Sequence, residues 1–142
     1  MTTDRIEAEL DIRHLIAALA VKADNGEIGD YIALFTEDAV WEMPANPATG
    51  LAAAHRKGRA DIAQGVEERR AAGVQGPDSG TMHCISTQQI EVSGDDASGH
   101  VYYQFFGKRD GAAVLLTVGQ YRDRYRRTSD GWKLSHRTII IT

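Results

Sequence analysis

Apolar positions recur along the first quarter of the chain with a helical period. Ile12, Ile16, Leu19, Ala20 and Ala23 fall on one stripe, and Asp4 with Glu7 three residues later forms a capping pattern, so a helix is predicted from about residue 5 to 24. "NG" at 25 and 26 is its stop signal. Ile28, Tyr31, Ile32 and Phe35 repeat the helical spacing over a shorter second helix. In "DAVWEMP" the period changes to two, with Ala39, Trp41 and Met43 on one face of a short strand that Pro44 ends. "NPATGLAAAHRKG" reads as a loop, and Gly58 leads into a third helix near 59–72 with Ile62 and Val66 inward.

Beyond the glycine-rich "GVQGPDSG" the pattern is that of strands: about 80–92, 97–107, 112–127 and 132–141. "SGDD", "KRDG" and "TSDG" are short enough to join them as an antiparallel meander. Helices early and strands late indicate an α+β domain, one unit spanning residues 1–142. The strand at 112–127 is apolar on both faces at one end, Ala113 and Leu115 against Val114, Leu116 and Val118. A sheet with one wet face does not read so; one face is expected over the helices and the other against a second subunit.

Composition narrows the function. With 42% hydrophobic and 25% charged residues, the chain resembles an ordinary globular protein. The N-terminus lacks a leader pattern and no apolar run is long enough to span a bilayer, so a cytoplasmic protein with no membrane partner is expected. A net charge of -4 disfavours a general nucleic-acid partner. Arg122, Arg124 and Arg126 alternate onto one strand face, which reads as a solvated or interfacial face or an anion site. Five histidines show no metal-ligand spacing, and neither a dinucleotide fingerprint, a phosphate loop nor a hydrolase elbow occurs, so no metal and no cofactor are expected. Cys84, the single cysteine, follows His83 on the opposite strand face, against a Cys/His nucleophilic pair.

His83 itself, in "GTMHCIS", places an imidazole within a strand. It is either a structural residue or a base that needs a carboxylate. Stepping by four along the first helix gives Ile12, Ile16, Ala20 and Asp24, so an acid continues the core stripe at the last helical turn. There it meets the negative end of the helix dipole and requires compensation, unless it turns outward with the helix stop. An Asp24–His83 pair would fix the imidazole tautomer and leave one nitrogen as a base, and Arg137 would stabilise a developing anion, if it is not instead the partner of a buried or surface acid. Trp41, Tyr103, Phe105 and Tyr121 read as cavity wall or core.

The helix ending in "D-x-G", "YIALFTEDAVWEM", "MHCIS" and "GQYRDRYRRTSDGWKLSHR" together resemble the SnoaL-like branch of the nuclear transport factor 2-like superfamily over nearly the whole chain. The resemblance implies a cone, a bent antiparallel sheet wrapped around three N-terminal helices with an apolar cavity between. Family members include scytalone dehydratase, bile acid 7α-dehydratase and hexachlorocyclohexane dehydrochlorinase. By that resemblance Asp24 and His83 are the catalytic dyad, Trp41 the cavity tryptophan and Arg137 the cavity arginine. Leu19 stands where those enzymes carry lysine or tyrosine. The expected function is a lyase, dehydratase or related eliminating enzyme, acting on a small, largely apolar cyclic or polyketide-like molecule. An isomerase or cyclase of the ketosteroid isomerase type and a non-catalytic small-ligand-binding module are the alternatives. Relatives also imply a homo-oligomer, a trimer ahead of a dimer.

Overall fold

The computed structural model describes residues 3–48 and 50–142. Helix α1 (Thr3–Asn25) buries Ala8, Ile12, Leu15, Ile16, Leu19 and Ala23 along one face. It ends as expected at Asn25, where the Gly26 amide closes on the Lys22 carbonyl at 2.9 Å. Asp4 lies in the first turn of the helix and not at its cap. Helix α2 is only Ile28–Ile32, and Phe35, expected in that helix, is instead the first residue of β1 (Phe35–Met43), fully buried. The helical spacing of Phe35 was a coincidence of two adjoining elements: Leu34 already gives its carbonyl to the amide of Leu134 in the sheet.

The segment expected to be a loop contains a strand, β2 (Ala54–Lys57), paired antiparallel with β1 from Met43↔Ala54 to Val40↔Lys57. Only four residues long and alternating between half-buried and exposed, it lacks the apolar signature of a strand. Helix α3 (Arg59–Ala71) follows, entered through Gly58 at φ 84°, a left-handed conformation that glycine adopts without strain. Asp61 in its first turn accepts from the Lys57 amide at 2.9 Å and from Arg56 at 3.2 Å, and Arg56 also reaches Glu68 at 2.7 Å. These bonds tie α3 to β2.

Strands β3 (Met82–Ser93), β4 (Asp96–Arg109), β5 (Ala112–Thr128) and β6 (Gly131–Ile141) form the expected meander. The sheet order is β2-β1-β6-β5-β4-β3. It is not wholly antiparallel: β1 runs parallel to β6, which the chain reaches after passing to the far edge at β3 and meandering back. Register shifts interrupt the ladders at Ile85/Thr87, Phe105/Phe106 and Arg124/Tyr125. Each adds local twist, so the sheet bends without closing. Its concave face receives α1, packed on β3 and β6, and α3, packed on β1 and β2.

Alternation along β5 decides which side chains enter this concavity. Tyr121, Asp123 and Tyr125 are buried while Arg122, Arg124 and Arg126 are exposed. The arginine row therefore belongs to the outer face. The apolar start of β5 is open on both faces: Leu115, Leu116 and Val118 are 52%, 47% and 43% exposed. The expectation that helices cover one side fails here, since α1 packs on β3 and β6.

Candidate active site

Asp24 is buried to 4% exposure, on the last turn of α1. Its two oxygens are both used by one residue. Oδ1 lies 2.6 Å from Nδ1 of His83, and Oδ2 accepts the His83 backbone N–H at 2.9 Å. The second bond follows from topology. β3 is an edge strand with β4 as its one neighbour, and Asp24 supplies the acceptor that its free edge lacks at His83. The first bond sets the tautomer: with Nδ1–H donating to the carboxylate, Nε2 carries the lone pair. His83 lines a cavity between α1, α3 and the sheet, its ring 4.6 Å from that of Phe105.

The end of α1 is held by Arg70 of α3, whose Nη2 donates to the carbonyls of Lys22 and Ala23 at 3.1 and 3.2 Å. A cation at a helix C-terminus satisfies orphan carbonyls and offsets the dipole that Asp24 opposes.

The cavity has a volume of about 180 Å³. Trp41, Tyr103, Phe105, Tyr121 and Arg137 line it together with His83, so the base, the arginine and the four wall residues expected from the sequence reach one space, and Asp24 stands behind His83. Leu19 also lines it, fully buried, so an apolar side chain occupies this part of the wall. Tyr103 and Tyr121 stack at 4.4 Å with their planes 11° apart. Gly119 makes that possible: Tyr103 is its cross-strand partner, and a Cβ at 119 would stand 2.5 Å from a ring carbon of Tyr103. Burial pushes the Tyr103 hydroxyl up to about 12, with Arg137 opposing, so it is a proton donor at neutral pH.

Arg137 is part of a row that crosses the sheet, Asp123 on β5, Arg137 on β6 and Trp41 on β1. Its Nε and Nη2 make a bidentate bond to Asp123 at 2.9 and 2.8 Å, leaving Nη1 outside the pair. Asp123 also accepts from the Tyr125 hydroxyl at 2.7 Å, and the guanidinium lies 3.8 Å from the Tyr121 ring centroid. Burial alone would lower the pKa of Arg137; the charge and hydrogen bonds of Asp123 outweigh it and hold the group cationic. Of the two readings of this arginine, partner of a buried acid and cavity cation, the geometry shows both.

Three contributors escaped the sequence reading. Asp123 could have been found, because it sits between Tyr121 and Tyr125 on the inward-facing positions of β5. Arg69 lines the cavity and stacks 4.7 Å over Trp41; it stands three residues after Val66, on the same side of α3. Arg70 continues the Ile62 and Val66 stripe of α3 by the step of four that reaches Asp24 on α1, but nothing local points to its partners, backbone carbonyls 47 and 48 residues distant.

Similar architecture occurs in solved structures. An NTF2-like protein with a cystatin-like fold from Novosphingobium aromaticivorans superposes with a TM-score of 0.81 and 27% identity, covering 96% of this chain and 82% of the other. A protein of the same organism proposed to be an aromatic ring hydroxylase gives a TM-score of 0.77 and 29% identity over 96% and 90% of the two chains. The β subunit of a proposed aromatic-ring-hydroxylating dioxygenase, again from that organism, shares the fold at a TM-score of 0.77 and 24% identity over 99% and 92%. No curated protein matches the sequence. The SnoaL-like domain does match, over residues 4–138, and with its three helices and bent sheet enclosing a cavity the chain belongs to that family.

Proposed function

We propose that this protein is a lyase, eliminating water or a comparable leaving group from a small cyclic or polyketide-like substrate, with His83 as base. The observation that carries the reading is the 2.6 Å contact between Asp24 and Nδ1 of His83 in a cavity walled by aromatic rings. Nε2 takes an acidic proton from carbon, and the electron pair left behind becomes an enolate. The adjacent bond then breaks. In a dehydration the His83 imidazolium returns the proton to the departing oxygen, so water leaves and the base is regenerated. Asp24 stabilises the imidazolium through its fixed carboxylate. The Tyr103 hydroxyl and Nη1 of Arg137 are the donors available to the enolate oxygen. Positioned general-base catalysis supplies roughly 10²- to 10⁴-fold, and orientation within the cavity adds to it.

Isomerisation uses the same first step, proton removal, followed by reprotonation at another carbon. The two are separated with a panel of cyclic β-hydroxyketones followed by enone absorbance, and with β,γ-unsaturated ketones followed by double-bond migration. His83→Ala and Asp24→Asn are each expected to reduce turnover at least 10²-fold, with the double variant little worse than the poorer single one, because the two groups act as a unit. Near-normal turnover by folded His83→Ala would end the assignment of the base.

We further propose that the protein works as a homo-oligomer, a trimer ahead of a dimer, which the exposed apolar side chains of β5 support.

A further inference from the structure

Arg69 stands apart from the other arginines of the interior. Arg137 is held by Asp123, Arg70 by two carbonyls of α1, Arg59 by the carbonyl of Phe35, and Arg56 by Asp61 and Glu68. Among the described residues Arg69 makes no ion pair and no hydrogen bond; its Nε is buried without an acceptor, as is that of Arg70, but Arg70 has its carbonyl partners and Arg69 has none. Glu68, the acid beside it in sequence, is committed to Arg56 at 2.7 Å. The neighbourhood brings the side chain inward: a Cβ on Gly65 would come within 3.1 Å of Nη1 of Arg69 and 3.3 Å of Arg56, so the missing side chain leaves room for both guanidinium groups on one face of α3. The Trp41 face gives the cation an electrostatic partner but no lone pair to accept its N–H groups.

A guanidinium kept this way, opening on a cavity, has its acceptor supplied from the cavity. We propose that Arg69 is the substrate's anion anchor, and that the substrate is a small cyclic monocarboxylic acid whose carboxylate pairs with Arg69 while its ring lies among Trp41, Tyr103 and Tyr121. The planar fork of arginine matches a carboxylate in two parallel bonds. A monoanion fits the charge of the site. Arg137 is neutralised by Asp123 and the second carboxylate, Asp24, sits behind His83, so one cation remains to be matched and a dianion would meet two fixed negative charges. Burial lowers the pKa of Arg69, with Tyr31 opposing and the positive charge of Arg56 adding to it, and an anion paired with the guanidinium would offset that cost.

Position supports the same assignment. Trp41, under Arg69, is on β1, whereas His83 is on β3, and β6, β5 and β4 lie between them in the sheet. The curl of the sheet brings both walls onto one cavity, which Arg69 and His83 line together, so a substrate gripped at Arg69 faces the imidazole across it. The proposal rests on the reading of this cavity as the catalytic one, but its test reads binding and not turnover.

The test titrates the intact protein with benzoate and with its uncharged analogue benzamide, by calorimetry and by tryptophan fluorescence. Wild-type protein is expected to bind benzoate at least tenfold more tightly than benzamide. Arg69→Gln should erase that preference by weakening benzoate alone, with benzamide affinity serving as the check that cavity and fold are intact. Arg69→Lys, which keeps the charge and loses the fork, should retain part of it, and decides the matter if Arg69→Gln fails to fold. His83→Gln, which keeps a neutral side chain between Asp24 and the cavity, should keep the preference. Equal binding of the two probes by wild type, or a preference that survives Arg69→Gln, or one unchanged in Arg69→Lys when Arg69→Gln does not fold, would overturn the proposal. Normal turnover in His83→Ala beside lost benzoate binding in Arg69→Gln would instead remove the base and leave the anchor standing.

Discussion

Single residues in this site work through bonds that leave them no freedom. Asp24 gives one oxygen to the ring and the other to the backbone of the same histidine, so imidazole position and strand position are set by one carboxylate. The Asp123–Arg137 pair shows the complementary case, a buried ion pair whose value lies in neither charge being left alone. Removing one partner is more damaging than never having had the pair, because the survivor keeps its desolvation cost. Asp123→Ala is therefore expected to destabilise the fold by about 3–5 kcal/mol, measured by urea unfolding, through exposure of an uncompensated Arg137 and loss of the Tyr125 hydrogen bond. A variant within about 0.5 kcal/mol of wild type would show that water reaches Arg137 and that the pair is not a structural element of the core.

At the scale of elements, two glycine positions let aromatic rings lie flat on the concave face of the sheet. A Cβ at Gly99 would meet the Tyr125 hydroxyl at 2.7 Å, and one at Gly119 the Tyr103 ring at 2.5 Å. Both glycines sit diagonal or opposite to the tyrosine across the β4–β5 ladder, Tyr103↔Gly119 and Gly99↔Asp123 with Tyr125 two residues further. A ring pinned in a stack cannot swing away as the end of a lysine could. Gly119→Ala is thus expected to cost about 1–3 kcal/mol from overpacking and to weaken benzoate and benzamide binding equally, since the Tyr103–Tyr121 wall moves for any ligand. Unchanged melting and unchanged binding would mean that the ring relocates freely and does not define the wall. Calorimetric melting alongside titration reads both effects.

For the whole molecule, the open question is what meets the sheet where the helices do not. Leu115, Leu116 and Val118 at one end of β5, with Ile140 and Tyr102 on neighbouring strands, leave large apolar side chains in water. Such a surface is costly in a monomer and is expected to close against another copy. Light scattering at micromolar concentration should give a multiple of the 15.5 kDa chain mass, and Val118→Glu should shift it toward the single chain. A monodisperse monomer in the unsubstituted protein would refute the homo-oligomer.

Much of this protein is present in its periodicities. The stripe on α1, the alternation on β5 and the short polar turns between strands follow from which side chains avoid water, a property of sequence order alone, and they place α1, α3 and the β3–β6 meander with small errors at the ends. Asp24 and His83 were legible for the same reason, being polar residues on positions where the pattern demanded apolar ones. Long-range pairing lay outside that reach. β2 has too few residues to show a period, Phe35 fits helix and strand alike, and nothing local makes β1 parallel to β6. The partners of Arg137, Arg69 and Arg70 depend on which strand lies beside which and on where α3 packs. Local sequence determines whether a side chain faces inward. Only the folded sheet, by curling Trp41 and His83 around one space, decides what it meets there.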